Sequence, residues 1–229
     1  MQHSPQHQKK SIFAVHRVEA FSDAVFAFAV TLLVVSLEVP KSAHDLFHIM
    51  HGFVAFGICF FFLVAVWIDH AKYFSHYAVS DNVTLTLSML LLFIVLLYVY
   101  PMKFLFSVLI DELIWNEGDS QVQNVVELRT LLRIYGGGFL ALSLTFLAMY
   151  WRSLKHRTRI ALDHAGVEHV KGAVRRHAIN ASAALASLLV TLFDSAYLGL
   201  IWGICYMTLA PLQTANGVVT GKRVRRAMQ

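Results

Sequence analysis

The chain alternates long apolar stretches with short polar segments, and this pattern predicts membrane-spanning helices. A helix needs about 20 predominantly apolar residues to cross the hydrocarbon core of a bilayer. Six stretches meet this requirement, at residues 17–39, 46–69, 83–106, 130–151, 174–193 and 196–213. We therefore predict an all-α membrane protein with six transmembrane helices in each subunit.

The last two stretches belong to one apolar block, residues 178–212, that is interrupted only by Asp194. A single helix of this length would place a charge in hydrocarbon and exceed the thickness of the bilayer. We therefore expect a tight hairpin turn at Asp194 and Ser195. Pro101 should kink or end the third helix, and we expect residues 107–129 to form a solvated loop or a short helix at the membrane interface.

The composition agrees with a protein whose solvent is lipid. Hydrophobic residues make up 57% of the chain, charged residues only 14%, and the mean hydropathy is +0.59, which leaves too little polar surface to cover a soluble globule. Cys59 and Cys205 both lie in apolar runs, where reduced thiols pack as small hydrophobes. Residues 1–16 lack the apolar core of a cleavable signal peptide, so we expect the first span to be retained.

Basic residues predict the orientation, because Lys and Arg are retained on the cytoplasmic side of a membrane. Most of them precede the first span, separate the fourth from the fifth, or follow the last. Both termini are therefore predicted to be cytoplasmic in a multi-pass protein of the cell membrane, which requires an even number of spans. This gives a cytoplasmic segment at 1–16, a six-helix transmembrane domain at 17–213 and a basic tail at 214–229, which either binds anionic membrane lipids or is disordered.

Ionisable residues enter the first span at its cytoplasmic end. Arg17, Glu19 and Asp23 lie within two turns of each other, and charges at membrane depth are costly unless they meet water or partners. In the second span, Trp67 and His70 are three residues apart and so share a helix face. We expect Arg17 and His70 to donate hydrogen bonds to Asp23, with Trp67 as an aromatic neighbour. Anchoring of the helix end at the interface is the alternative for Trp67.

An apolar stripe follows this polar cluster along the first span. At 100° per residue, Ala24, Phe28, Leu32 and Val35 fall on one face, with Thr31 at its edge. Such a stripe is ordinarily core or lipid contact. The charged cluster at the start of the same helix favours a position inside an assembly.

These residues resemble a known family. Arg17, Phe21, Ser22 and Asp23, in the pattern R-x-x-x-F-S-D, match the signature of the transmembrane protein 175 family, potassium channels that lack the usual filter sequence. Residues 67–74, in the pattern W-x-x-H-x-x-x-F, are similar to the family's companion motif on the second span. The family usually has a second histidine where this chain has alanine at position 71.

The resemblance implies a homotetrameric potassium channel in which the first helix of each subunit lines a central pore. It places a hydrophobic constriction, acting as both gate and filter, at Phe28, Leu32 and Val35, and a polar ring of hydroxyls at Thr31. The signature residues, together with the second-span motif, would hold the inner helices together through a hydrogen-bond network. Potassium is then the permeant ion, and no cofactor, metal site or catalytic residue is implied.

Three other classes of function compete with the channel, and one of them, a purely structural or receptor-like helical bundle, would leave the first-helix signature unexplained. A proton-coupled secondary transporter or a proton-leak channel would use Asp23 and His70 as proton carriers, but the broken helices and half-repeats typical of carriers are not found. A membrane enzyme would need a nucleophile beside a base, or ligands at metal spacing, and neither is found. The basic pI near 9.3 follows from the charge asymmetry across the membrane, so it does not indicate a nucleic-acid partner.

Overall fold

The structure is a computed structural model that describes residues 5–35, 42–79, 81–110, 124–193 and 198–229. Every regular element in these ranges is a helix, as predicted. The helices are α1 (Pro5–Val35), α2 (Ala43–His76), α3 (Asn82–Ile110), α4 (Val125–Lys155), α5 (His164–Val190), α6 (Leu198–Met207) and α7 (Leu209–Ala227).

Several of these helices are long and apolar enough to cross a membrane. In the described ranges, five such stretches are found, at His16–Val35, Gly52–His76, Asn82–Val108, Val125–Lys155 and Leu198–Ala227. The predicted span at 174–193 is not among them. Its helix α5 begins at His164 and carries Glu168, Lys171, Arg175 and Arg176 in its first half, so only its second half is free of charged residues.

Side-chain caps fix where three helices begin. Asn124 accepts a hydrogen bond from the backbone N–H of Glu127 at 2.9 Å and donates its amide N–H to the carboxylate of Glu127 at 3.0 Å. Asp163 accepts from the N–H of Gly166 at 2.7 Å at the start of α5, and Asp81 accepts from the N–H of Thr84 at 2.9 Å at the start of α3. These bonds satisfy backbone donors that have no partner inside the first helical turn.

The first five helices share one hydrophobic core. α1 packs on α2 and α3, α3 packs on α4, and α5 packs on α4, α6 and α7. Buried members of this core include Phe26 and Leu33 of α1, Leu63 of α2, Leu91 of α3 and Phe146 of α4. A smaller cluster joins α4 to α6 through Leu132, Tyr135, Leu198 and Trp202. The core thus holds one face of α1 firmly against its own subunit.

The third helix and the C-terminal tail differ from what the sequence predicts. α3 continues past Pro101 to Ile110, so this proline does not end the helix. The segment after residue 213 is helical through Ala227 and is fastened to α5, since Arg175 donates to Asn216 and to Thr220 at 3.0 Å each. The predicted hairpin at Asp194 and most of the 107–129 loop lie outside the described residues.

Ion pairs join several helix ends on one side of the bundle. Arg152 near the end of α4 pairs with Asp81 between α2 and α3. Lys171 on α5 lies 2.7 Å from Glu168, and Arg223 on α7 lies 4.0 Å from the other carboxylate oxygen of Glu168. The segments that carry most of the basic residues are therefore neighbours in the fold.

Candidate functional site

The polar end of α1 is tied to α2 through Asp23. The indole N–H of Trp67 donates to Oδ1 of Asp23 at 2.8 Å. The preceding Ser22 is fully buried, and its hydroxyl donates to the backbone carbonyl of Val18 at 2.8 Å. Asp23 is thus an acceptor, as expected, and Trp67 is its donor rather than only an aromatic neighbour.

His70 has a different partner from the expected one. Its Nε2 lies 3.0 Å from the hydroxyl of Ser88 on α3, and its ring packs 4.6 Å from that of Phe74 and 5.7 Å from that of Phe26. His70 and Ser88 are both fully buried. The companion motif therefore joins α2 to α1 through Trp67 and to α3 through His70.

The remaining polar residues at the start of α1 lie nearer the surface. Glu19 accepts a hydrogen bond from the hydroxyl of Ser75 at 3.4 Å and lies 3.5 Å from Nδ1 of His16. Arg17 and Phe21 are exposed on the single chain. In the described contacts, Trp67 donates to Asp23 and Arg17 does not.

α1 has two faces of opposite character. Ser22, Phe26, Ala29 and Leu33 are buried against α2 and α3. The opposite side, which we call the exposed face of α1, consists of Ala24, Phe28, Thr31 and Val35, with Leu32 half-buried beside it. Phe28 is 55% exposed and Val35 is 77% exposed, so the predicted apolar stripe lies on the surface of the single subunit.

The hydroxyl of Thr31 is oriented by its own helix. It donates to the backbone carbonyl of Phe28 at 2.7 Å. A threonine hydroxyl has one donor and two acceptor lone pairs. Because the donor is already used, the oxygen presents acceptor character to whatever faces it, and this suits a cation.

A second buried polar group was missed by the sequence reasoning. The carboxylate of Asp69 on α2 accepts from the hydroxyl of Tyr150 at 2.9 Å, lies 2.9 Å from Nε2 of His177, and pairs with Arg176. His177 is buried and stacks on the rings of Phe146 and Tyr150. We call Asp69, Tyr150, Arg176 and His177 the Asp69 cluster. It fastens α2 to α4 and α5.

Two carboxylates outside the spans, Asp81 and Glu168, lie on the side of the bundle where ion pairs join the helix ends, and their partners lower their pKa. Partial burial raises the pKa of Asp81, but the hydrogen bonds from Arg152 and Thr84 outweigh this effect and hold the pKa below its ordinary value. The hydrogen bond from Lys171 likewise lowers the pKa of Glu168. Both carboxylates are therefore ionised at neutral pH. Among the described residues, no group of three or more His, Cys, Asp or Glu side chains is arranged to hold a metal ion.

Comparison with known proteins places this arrangement among ion channels. The family profile described as "Endosomal/lysosomal potassium channel TMEM175" matches residues 17–98. A protein of Marivirga tractuosa named "Potassium channel" is 34% identical over 226 residues, covering 93% of this chain and 90% of the relative. A potassium channel of Chamaesiphon minutus is 26% identical over 199 residues, covering 83% of this chain and 89% of the relative.

Two solved structures share the fold. A crystal structure of a variant of the potassium channel MtTMEM175, bound to a nanobody fusion protein, superposes with a TM-score of 0.79 at 32% identity, covering 90% of this chain and 93% of the other. A protein from Chamaesiphon minutus, described as a homologue of the lysosomal potassium-selective channel TMEM175, superposes with a TM-score of 0.60 at 22% identity, covering 89% of this chain and 98% of the other.

Proposed function

This chain belongs to the TMEM175 family of potassium channels, and from this premise we propose that four copies of it form a potassium-selective pore lined by α1. The family is one of ion channels rather than enzymes, and its members work in membranes. The chain is a multi-pass membrane protein, and the proposal concerns where in the assembly the ions pass.

The observation that carries the proposal is the division of α1 into two faces. One face is anchored in the core of the subunit through Phe26 and Leu33, and its polar end is fixed by the bond between Trp67 and Asp23. The exposed face of α1 is consequently held in one orientation. A helix that carries ionisable residues at one end and a rigidly presented apolar stripe beyond them suits a position around a central axis better than one in lipid.

The constriction would consist of rings of Phe28, Leu32 and Val35, one from each subunit. Apolar rings narrow enough to exclude water block ions by dewetting, and a small widening admits a partly hydrated cation. Because potassium loses its hydration shell at lower cost than sodium, such a neck favours potassium. Thr31 lies between Phe28 and Leu32 in sequence, and its acceptor oxygen would replace some of the lost hydration.

The proposed orientation in the membrane is supported by the side of the bundle on which the ion pairs lie. We place this side, which holds the end of α4, the start of α5 and the end of α7, in the cytoplasm, since Lys and Arg are retained there. Both termini are then cytoplasmic. The second half of α5, covered by α4, α6 and α7, would form the predicted span at 174–193 and bring the number of spans to six.

No contact in the described residues favours the proton-coupled alternative. Asp23 bonds to Trp67 and His70 bonds to Ser88, so the two candidate proton carriers are engaged by different partners on different helices. These contacts do not connect Asp23 to His70 in one hydrogen-bonded path. The ion channel is therefore the better interpretation.

The deciding experiment is a reversal-potential measurement on the purified chain in planar bilayers, with potassium on one side and sodium on the other. We expect unitary current steps and a reversal potential displaced toward the potassium equilibrium potential. Bilayers without protein give the baseline. A pH gradient under symmetrical potassium is the second arm. A reversal potential that follows the proton gradient, or transport without unitary steps, would reject the channel in favour of the proton-coupled carrier.

A further inference from the structure

A crevice lies between α2, α4 and α5, on helix faces that take no part in the α1 stripe. Its volume is ≈ 380 Å³, which is within the usual range of about 300–1,000 Å³ for small-molecule sites. Its wall is apolar over most of its length. The lining includes Phe62, Ala65 and Val66 of α2 and Phe139, Leu142 and Phe146 of α4.

One end of the crevice is basic. Lys72 and Arg176 line it there, together with Asp69. Asp69 is held by Arg176 and by His177, so its charge is balanced inside the Asp69 cluster. The two cations against one carboxylate leave at least one net positive charge at this end.

Both cations have donors to offer. Lys72 is exposed. The described hydrogen bonds of the Arg176 side chain use only one terminal nitrogen, Nη2, whereas a guanidinium has five N–H donors. The Arg176 side chain remains 39% exposed. A bound anion would therefore complete the coordination of Arg176 without displacing Asp69.

We propose that the crevice binds an anionic glycerophospholipid, with its phosphodiester at Lys72 and Arg176 and an acyl chain along the apolar wall between α2 and α4. The charge decides the class of lipid, because a single phosphodiester charge matches the net charge of the basic end. Basic pockets between transmembrane helices on the cytoplasmic side are known to suit anionic headgroups. The shape of the crevice favours a lipid over a free phosphate ion, because a free phosphate ion would make no contact with the apolar wall beyond the cations. This site is independent of where the ions cross the assembly.

Native mass spectrometry of the delipidated full chain tests the proposal. The probes are palmitoyl-oleoyl phosphatidylglycerol, palmitoyl-oleoyl phosphatidylcholine and glycerol phosphate. We expect preferential binding of phosphatidylglycerol, weakened about fivefold by Lys72→Gln, since each basic residue near an anionic lipid surface contributes about 1 kcal/mol. Ala65→Trp should fill the apolar wall and abolish binding. Glycerol phosphate should not compete, because it has no acyl chain.

Two matched controls make the result decisive. Lys155→Gln removes an exposed lysine from α4 outside the crevice, and Ala186→Trp adds the same ring to an exposed position on α5; both should bind phosphatidylglycerol as the unmodified chain does. Equal weakening by Lys155→Gln and Lys72→Gln would overturn the site in favour of general surface attraction. Competition by glycerol phosphate would overturn the lipid in favour of a small anion. Dissociation of the assembly by Ala65→Trp alone would show that a second copy of the chain fills the crevice.

Discussion

Phe28 is the bulkiest side chain on the exposed face of α1, so its replacement should have the largest effect on conduction. Phe28→Ser removes an apolar ring from each subunit and allows water into the proposed neck, which lowers the dewetting barrier. We expect a severalfold larger unitary conductance and a smaller displacement of the potassium-versus-sodium reversal potential. Leu32→Ser should act in the same direction, and single-channel recording in planar bilayers measures both.

Phe61 supplies the matched control for that experiment. It is an equally large aromatic residue, 71% exposed, but it lies on α2. Phe61→Ser should leave conductance and selectivity unchanged. Normal currents in both Phe28→Ser and Leu32→Ser would remove α1 from the ion path.

Individual polar contacts were only partly predictable from sequence. Asp23 had to find a donor because of its depth in a span, and that expectation is met by Trp67. The identity of the donor depends on the relative rotation of α1 and α2, which helix periodicity does not give. His70 and His177 show the same limit: their partners Ser88 and Asp69 lie on other helices, and nothing in the local sequence marks them.

At the scale of elements, the glycines of α4 set how closely it approaches α3. A Cβ atom on Gly138 would overlap the ring of Tyr98, whereas one on Gly137 would meet nothing within 4 Å. The Tyr98 ring cannot swing away freely, since its hydroxyl donates to the backbone carbonyl of Tyr135 at 2.9 Å. Of the three consecutive glycines at 136–138, only some therefore carry the close packing of α4.

Neighbouring substitutions test this difference. Gly138→Ala should lower the free energy of unfolding by about 1–3 kcal/mol, the usual cost of overpacking. Gly137→Ala is the control and should be neutral or raise it by up to about 1 kcal/mol through helix propensity. Thermal unfolding in detergent micelles compares the two. Equal effects at both positions would show that Tyr98 does not limit the α3–α4 approach.

The ion pair between Asp81 and Arg152 should make the joint between α2, α3 and α4 sensitive to acid. Because the folded pKa of Asp81 lies below its ordinary value of 3.8, the pair contributes stability that is fully present above pH 3.8 and is lost as pH falls through the folded pKa. Asp81→Asn keeps a capping oxygen for Thr84 but removes the charge. At pH 7 it should cost about 1 kcal/mol, and thermal unfolding should show the difference shrinking below pH 3.8.

Arg152→Gln is the complementary variant for the acid test. It should cost a similar amount at neutral pH, and the double variant should cost no more than either single change, since both remove the same interaction. A difference between Asp81→Asn and the unmodified chain that persists at low pH would mean that the charge of Asp81 is not the cause of the difference.

Elements with a strong apolar pattern were the ones that sequence placed well. The predicted first four spans match helices α1 to α4 in order, although all four helices extend beyond the predicted limits at one end or both. α5 was harder because a charged half and an apolar half form one helix. The tail was harder still, since its helix is stabilised by Asn216 and Thr220 against α5, and such contacts depend on the packed partner.

For the whole molecule, the short sequence motifs predicted family membership. The pattern from Arg17 to Asp23 is specific enough to indicate the family from a single helix, and the 34% identity over nearly the whole chain confirms it. The number of subunits and the pore are properties of the assembly. They stay predictions, because a single chain shows which face of α1 is exposed but not what covers it.

Cysteine cross-linking tests the assembly directly. In a background with Cys59→Ala and Cys205→Ser, Phe28→Cys places a thiol on the exposed face of α1, and Phe61→Cys places one on α2. Around a shared axis, the copies of residue 28 converge, so a mild oxidant or a short bifunctional maleimide should join subunits of Phe28→Cys into dimers visible on a denaturing gel. Phe61→Cys should remain monomeric under the same treatment.

Cross-linking at residue 61 without cross-linking at residue 28 would place α2 at the axis and turn α1 toward lipid. Because this measurement requires no ion flux, it separates an error in the arrangement of subunits from an error in the conducted ion.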